Sequence, residues 1–375
     1  MNRVEQYLAD KLNERTLAGN LRMLTTKRSA IDFFSNDYLG LATTGTLAEL
    51  MRKDDIDSTG STGSRLLSGN NEQVEILEHT IASFHKAEAA LLFNSGYDAN
   101  MGLLASITNR HSTILSDELC HASIIDGIRL SQCNRKYRFA HNDLSDLEEK
   151  LKKHTADGPV IVVVESVYSM DGDMTPLADV VHLCGQYDAQ LIVDEAHATG
   201  VIGAHGEGLV CTLGLQDKIF ARVHTFGKAL GCHGAAVVGN NTLKQYLINF
   251  ARPFIYTTAL PGHSLHAIHT AYQYLSEHSF GNSQLHELIA YFRTRVAETA
   301  MEVWKDSVSP IQALVVSSNE QCRVLAAKLQ GAGLEVRPIL YPTVPLGMER
   351  LRVCLHSFNT REQIDLLICV LNANK

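Results

Sequence analysis

Between residues 89 and 239 the chain repeatedly alternates a short, continuous apolar run with a stretch whose apolar residues recur at helical spacing. The runs are AALLFNSG (89–96), STILSD (112–117), VIVVVES (160–166), AQLIVDEA (189–196), RVHTFG (222–227) and GAAVVG (234–239). Stretches such as LSDLEEKLKKH and LADVVHLCGQYD lie between them. A strand that is apolar at every position has no face to offer water, so it belongs in a sheet covered by helices on both sides. The alternation therefore predicts an α/β fold with a mostly parallel central sheet.

After RPFIYTTALP the pattern changes. One long helical region is expected over roughly 262–305. The strand IQALVVSS, the helix NEQCRVLAAKLQGAG, the strands LEVRPIL and RLRVCLHS, and a last helix TREQIDLLICVLNAN follow it. That tail reads as a smaller α+β domain. The expected division is 1–45 for an N-terminal helix and connecting segment, 46–262 for the large α/β domain and 263–375 for the small one.

Composition narrows the function. A formal net charge of -8 lacks the basic excess of a nucleic-acid protein. No apolar stretch approaches the roughly 18 residues of a membrane span. The N-terminus MNRVEQYLADKLNERTLAGNLR is a polar amphipathic pattern without the apolar centre of a signal peptide. The 8 cysteines are scattered without a C-x-x-C, which points to reduced thiols and a cytoplasmic protein.

In an open α/β sheet, ligands sit beyond the carboxyl ends of the strands. Four segments place chemistry there. Asp194 and His197 follow QLIV, and a carboxylate beside a protonated ring nitrogen makes both tolerable to bury. No third or fourth ligand stands at matching spacing, so a metal is not indicated. His121 follows STILSD and offers a planar ring for stacking on an aromatic cofactor. Gly96 and Tyr97 open a helix after LLFNS, where free amides and the helix dipole favour a phosphate. The glycine-rich STGSTGSRLLSGN (58–70) lacks the Gly-Lys-Ser/Thr of a nucleotide-binding loop. Lys228 follows HTFG, and a lysine desolvated near another cation becomes a nucleophile toward an aldehyde. Singly, each has a bland reading: Asp194 as a cap, His197 as a satisfied core histidine, Lys228 as a surface lysine with a solvated head. Together, a phosphate anchor, a stacking ring, a carboxylate and a reactive amine describe a pyridoxal phosphate site.

The chain resembles the α-oxoamine synthases among the fold-type I pyridoxal-phosphate enzymes. The resemblance runs through FFSNDYLGLA, GSTGSRLLSGN, LFNSGYDAN, SDELCHASIIDG, ESVYSMDGDMTPL, IVDEAHATGVIG, HTFGKALGCHGAAVVG and LRVCLHSFNT. It implies that Lys228 carries the cofactor and moves the α-proton, that Asp194 pairs with the pyridine nitrogen, and that His121 stacks on the ring. His197, helped by Ser169, would bind the ring's phenolic oxygen. The amides of Gly96 and Tyr97 and the Thr225 hydroxyl would hold the phosphate, and Thr257 or Thr258 would reach a phosphate across a homodimer interface. Arg352 would clamp the amino-acid carboxylate. Asn36 and Thr343 would lie near the substrate, and Arg22 would contact the acyl group. RFAHND, RPFIYTTALP and PTVPLGMERLRVCLHS resemble the branch that condenses L-alanine with a pimeloyl thioester of coenzyme A or acyl carrier protein in biotin synthesis. Glycine C-acetyltransferase, another amino acid and acyl pair, and a non-catalytic homologue are the alternatives. One departure stands out: only MLTTKRSAID separates Arg22 from Phe33, where family members often carry a longer strand-forming segment.

Overall fold

The computed structural model describes residues 2–22, 24, 26, 30–52, 59–279, 284–299 and 304–373. Ser58 of the glycine-rich stretch and half of the MLTTKRSAID segment fall outside the described residues. The elements begin with α1 (Arg3–Leu17), β1 (Ile31–Asp32), α2 (Thr46–Met51), α3 (Glu72–Phe84), β2 (Ala89–Phe93), α4 (Gly96–Ser106) and β3 (Thr113–Asp117). Next come α5 (Ala122–Leu130), β4 (Arg135–Phe139), α6 (Leu144–His154), β5 (Val160–Glu165), α7 (Leu177–Gln186), β6 (Gln190–Asp194) and α8 (Leu209–Thr212). They continue with β7 (Ala221–Thr225), β8 (Ala235–Gly239), α9 (Asn241–Phe250), α10 (Arg252–Ile255), α11 (Gly262–Glu277) and α12 (Gln284–Ala297). The last are β9 (Ile311–Val315), α13 (Asn319–Gly331), β10 (Leu334–Glu335), β11 (Arg337–Ile339), β12 (Arg350–Cys354) and α14 (Arg361–Asn372).

The chain divides into two compact units. The larger comprises Asn36–Ser169 and Asp173–Ser283. Its centre is a seven-stranded sheet in the order β2-β8-β7-β6-β5-β3-β4. β8 runs antiparallel to both neighbours and the other pairs are parallel. Alternate residues of the buried strands feed opposite faces: Ile161 and Val163 pack with Leu103, Ile124 and Leu247, while Val160, Val162 and Val164 pack with Leu147, Leu151 and Val180. That two-sided burial is what the continuous apolar runs require. β4 was not signalled by an apolar run. It lies at one edge of the sheet and its RKYRF is buried only at Phe139, so no continuous apolar run is required of it.

The smaller unit comprises Met1–Ser35, Met170–Gly172 and Gln284–Lys375. It holds an antiparallel sheet β11-β12-β9 and a parallel pair of β1 with β10. LEVRPIL, expected as one strand, is split between these two sheets. Pro338 lacks an N–H, and it sits in β11, at a sheet edge where no ladder donor is needed. The expected long helix over 262–305 is likewise two helices: α11 ends where His278 turns to an extended conformation, φ -114 and ψ 144. Among the described residues no helix is long and apolar enough to cross a membrane.

Candidate active site

At the carboxyl edge of the large sheet, β5, β6 and β7 end in Glu165, Asp194 and Thr225. Glu165 and Asp194 are register partners on parallel strands, so both carboxylates issue from one level. A cleft of about 270 Å³ opens there, within the larger unit. Its walls include Asn36, Gly96, Tyr97, His121, Asp194, His197, Thr225 and Lys228. That is close to the small end of the volume range for ligand sites, roughly 300–1,000 Å³.

Each side chain is placed by its local sequence. Phe226, Ala229 and Leu230 are buried at 0–1% exposure and anchor the turn after β7. Phe226 N–H donates to Gly234 O at 2.9 Å and Cys232 N–H to Phe226 O at 2.8 Å, closing that turn. Lys228, between these anchors, is left half-buried on the cleft wall.

Asp194 is buried. Its Oδ1 accepts the Ala196 N–H at 2.9 Å, and its Oδ2 accepts Asn100 Nδ2 at 2.7 Å. Asn100 also donates to Ser123 Oγ at 3.0 Å. Ser123 Oγ lies 2.8 Å from His121 Nδ1, which accepts the Ser123 N–H at 3.2 Å. An Nδ1 that accepts carries no proton, so the His121 ring is neutral with its proton on Nε2. Burial, reinforced by the Lys228 cation, holds the His121 pKa below that of a free histidine against the pull of Asp194. The His121 N–H donates to Glu165 Oε1 at 2.6 Å. Burial, with Asp194 beside it, pushes the Glu165 carboxyl up to about 8.

In the same cleft, Ser95 caps α4 by accepting the Asp98 N–H at 3.1 Å. First-turn amides have no intrahelical acceptor, so those of Gly96 and Tyr97 are suited to an anion. A Cβ on Gly96 would collide with Thr225 Cγ2, so glycine is what lets β7 approach the helix start. Thr225 Oγ1 is buried there without a hydrogen-bond partner. A buried hydroxyl beside two helix-start amides is a donor set for a phosphate. A reactive amine, a buried carboxylate and a neutral imidazole share the same cleft. The residues therefore fit pyridoxal phosphate.

The remaining expected site residues lie elsewhere. Thr257 and Thr258 are not on this wall: Asn94 Nδ2 donates to Thr257 Oγ1 at 3.0 Å and to Thr258 O at 2.8 Å. Ser169 lies in the turn after β5 and is not among the residues lining the cleft. Arg22, Thr343 and Arg352 belong to the smaller unit. There Arg22 Nη2 donates to Thr343 Oγ1 at 3.5 Å, and Arg352 Nη1 to Cys354 Sγ at 3.0 Å. Sequence reasoning passed over Asn100, Ser123, Glu165 and His233, which also line the cleft. Glu165 alone carried a signal, since it ends an apolar strand as Asp194 does.

The model of the family described as aminotransferase class I and II matches residues 28–371. A relative from Emericella nidulans named 8-amino-7-oxononanoate synthase is 44% identical over 365 residues, covering 91% of this chain and 88% of its own. One from Lysinibacillus sphaericus with the same name is 38% identical, covering 97% and 93%. Among solved structures, 8-amino-7-oxononanoate synthase from Francisella tularensis is 31% identical with a TM-score of 0.76, covering 92% of this chain and 97% of its own. Sphingomonas wittichii serine palmitoyltransferase is 27% identical with a TM-score of 0.88, covering 100% and 98%. The chain belongs to the aminotransferase class I and II family and, within it, to the 8-amino-7-oxononanoate synthases.

Proposed function

We propose that this chain is a pyridoxal phosphate-dependent acyltransferase of biotin biosynthesis. It joins the α-carbon of L-alanine to the carbonyl carbon of a pimeloyl thioester, releasing the thiol carrier and carbon dioxide to give 8-amino-7-oxononanoate. The observation that carries the reading is the convergence of Lys228, Asp194, His197 and His121 with the unpartnered Thr225 hydroxyl in one cleft. Relatives named for this product, at 38–44% identity, support the choice of substrates.

Lys228 would hold the cofactor through its amine, and Thr225 Oγ1 with the Gly96 and Tyr97 amides would hold its phosphate. Bound there, the cofactor supplies an electron sink for negative charge at the alanine α-carbon. Asp194, held by Asn100 and the Ala196 amide, would pair with the ring nitrogen and favour its protonated form. His121 offers a neutral ring face, and His197 a nitrogen for the phenolic oxygen. Lys228 Nζ takes the α-proton of alanine and later returns one to the product carbon. Recognition of the amino-acid carboxylate by Arg352, and of the acyl substrate by Asn36, Thr343 and Arg22, rests on the family resemblance. We place the reaction in the cytoplasm, which eight free cysteines support, and assign a homodimer, with Thr257 or Thr258 reaching the partner's phosphate.

The test is a substrate matrix: alanine, glycine and serine, each with pimeloyl-, acetyl- and palmitoyl-coenzyme A, followed by thiol release. Alanine with pimeloyl-coenzyme A is expected to be fastest by at least tenfold. Faster turnover of glycine with acetyl-coenzyme A sinks the specificity. A Lys228→Ala variant that still turns over, or wild-type protein that gains no visible absorption on adding the cofactor, sinks the chemistry. Light scattering at one subunit mass would overturn the dimer.

A further inference from the structure

Tyr38 does not line the cleft, yet its hydroxyl joins two residues that do. The side chain is fully buried, at 0% exposure. Its Oη stands 3.0 Å from Asn36 Oδ1 and 2.8 Å from His197 Nδ1. The rings of Tyr38 and His197 are tilted, with centroids 6.1 Å apart, so the contact is made through the hydroxyl rather than by stacking.

Counting protons fixes the direction of both bonds. A phenol has one proton and an amide oxygen has none. Two oxygens held 3.0 Å apart without a proton between them would repel, so the Tyr38 proton is donated to Asn36 Oδ1. Nothing on Tyr38 is then left to donate to His197. The proton in the 2.8 Å contact must come from the imidazole. We infer that Tyr38 is a positioning residue: backed by Asn36, it holds His197 as the Nδ1–H tautomer, with Nε2 as the proton-accepting nitrogen.

This matters for the reaction and rests on the reading in which His197 meets the cofactor's phenolic oxygen. An Nε2 that arrives without a proton accepts one from a phenol and can take it over fully, with Nδ1–H retained on Tyr38. The other tautomer would bring a second proton to the same oxygen. The partner of one ring nitrogen thus sets what the other can do, as outer partners do for metal-bound histidines.

The test uses the full chain without cofactor, labelled with 15N on histidine, at pH 9, where an ordinary imidazole is neutral. Long-range nitrogen–proton NMR reports which ring nitrogen carries hydrogen, and His197→Gln identifies the signals by their loss. Wild type is expected with hydrogen on Nδ1. In Tyr38→Phe the preference is lost and the Nε2–H form, favoured by imidazole in water, becomes the major one. Asn36→Ala is expected to shift the ring the same way, because it releases the Tyr38 proton for donation to Nδ1 while leaving Tyr38 and His197 chemically intact. A wild-type ring with hydrogen on Nε2, or one spectrum shared by wild type and both variants, overturns the inference. If Tyr38→Phe fails to fold, Asn36→Ala decides alone. In the loaded enzyme Tyr38→Phe should lower kcat by roughly tenfold, the size found for partners that orient a histidine; an unchanged kcat overturns the catalytic consequence. Absence of a visible band on adding cofactor would sink the cofactor reading while leaving the NMR answer intact.

Discussion

Replacing Thr225 by valine should strengthen the empty protein and weaken its hold on the cofactor. Valine has nearly the shape of threonine, so the methyl that meets Gly96 is kept and only Oγ1 is changed to carbon. In the protein alone that oxygen is buried without a partner. A buried hydroxyl left unpaired costs about 1–3 kcal/mol, and exchanging it for an apolar group of equal shape recovers part of this. A gain of about 1 kcal/mol is expected, which raises the melting temperature of a large chain by about 1–2 °C. With cofactor the sign reverses, because a hydrogen bond to a charged phosphate is worth about 1.5–3 kcal/mol. Its loss weakens binding by roughly 10- to 150-fold. The assays are thermal unfolding of cofactor-free protein and a titration of cofactor followed by absorbance. Thr225→Ser, which keeps the oxygen, should hold its dissociation constant within about threefold of wild type. A Thr225→Val protein that melts lower than wild type without cofactor, or binds cofactor as tightly, would refute the reasoning.

Two further expectations come from buried titratable groups. Burial, with the Arg222 cation nearby, drives the His85 pKa from 6.5 to about 3. The unfolded chain therefore takes up this proton first, and the stabilising contribution is complete above pH 6.5 and lost as pH falls toward 3. Relative to His85→Gln, wild type should lose about 2 kcal/mol between pH 8 and pH 5 in urea unfolding; parallel pH profiles would show that His85 is not held neutral. Glu165→Gln keeps an acceptor for the His121 amide and should bind cofactor as wild type does, whereas Glu165→Leu should weaken it roughly 3- to 10-fold through about 1 kcal/mol of lost hydrogen bonding. Equal affinities in the two variants would remove Glu165 from any role in placing His121.

The sheet was legible because burial on both faces leaves a mark on consecutive residues. AALLF, TILSD, VIVVVE, QLIVD and AAVVG are such runs, and these five observed strands lie within the expected ones; β7 begins at Ala221, one residue before the expected RVHTFG. What escaped was structure whose constraint is one-sided or comes from elsewhere in the chain. β4 is buried only at Phe139 and reads RKYRF. LEVRPIL is uniformly strand-like, and nothing local announces that Leu334 will pair with Ile31 while Arg337 pairs with Arg352. The break after Glu277 falls in a polar stretch, HSFGNSQ, that helical spacing alone does not exclude.

The site divides along the same physical line. Residues that end a strand, such as Asp194 and Thr225, are placed by topology, so a reading of strand ends reaches them. Residues that act through those are placed by contacts spanning the chain: Asn100 meets Asp194 across 94 positions, and Tyr38 meets His197 across 159. Asn100 sits inside α4 and Tyr38 in a turn, where a lone polar residue has many ordinary explanations. Only geometry separates them, because a buried polar group must be paired and the pairing names its partner. The same rule applied in reverse, at an atom that also lines the cleft, marks a place for a ligand. Thr225 Oγ1 is buried without a hydrogen-bond partner in the same cleft as the helix-start amides of Gly96 and Tyr97, so a ligand that accepts from all three would complete it. A hydroxyl on the final residue of β7, three positions before Lys228, ties the phosphate end of the site to its reactive end through one short segment. A substitution at either position should therefore be read at both, by affinity for the first and by chemistry for the second.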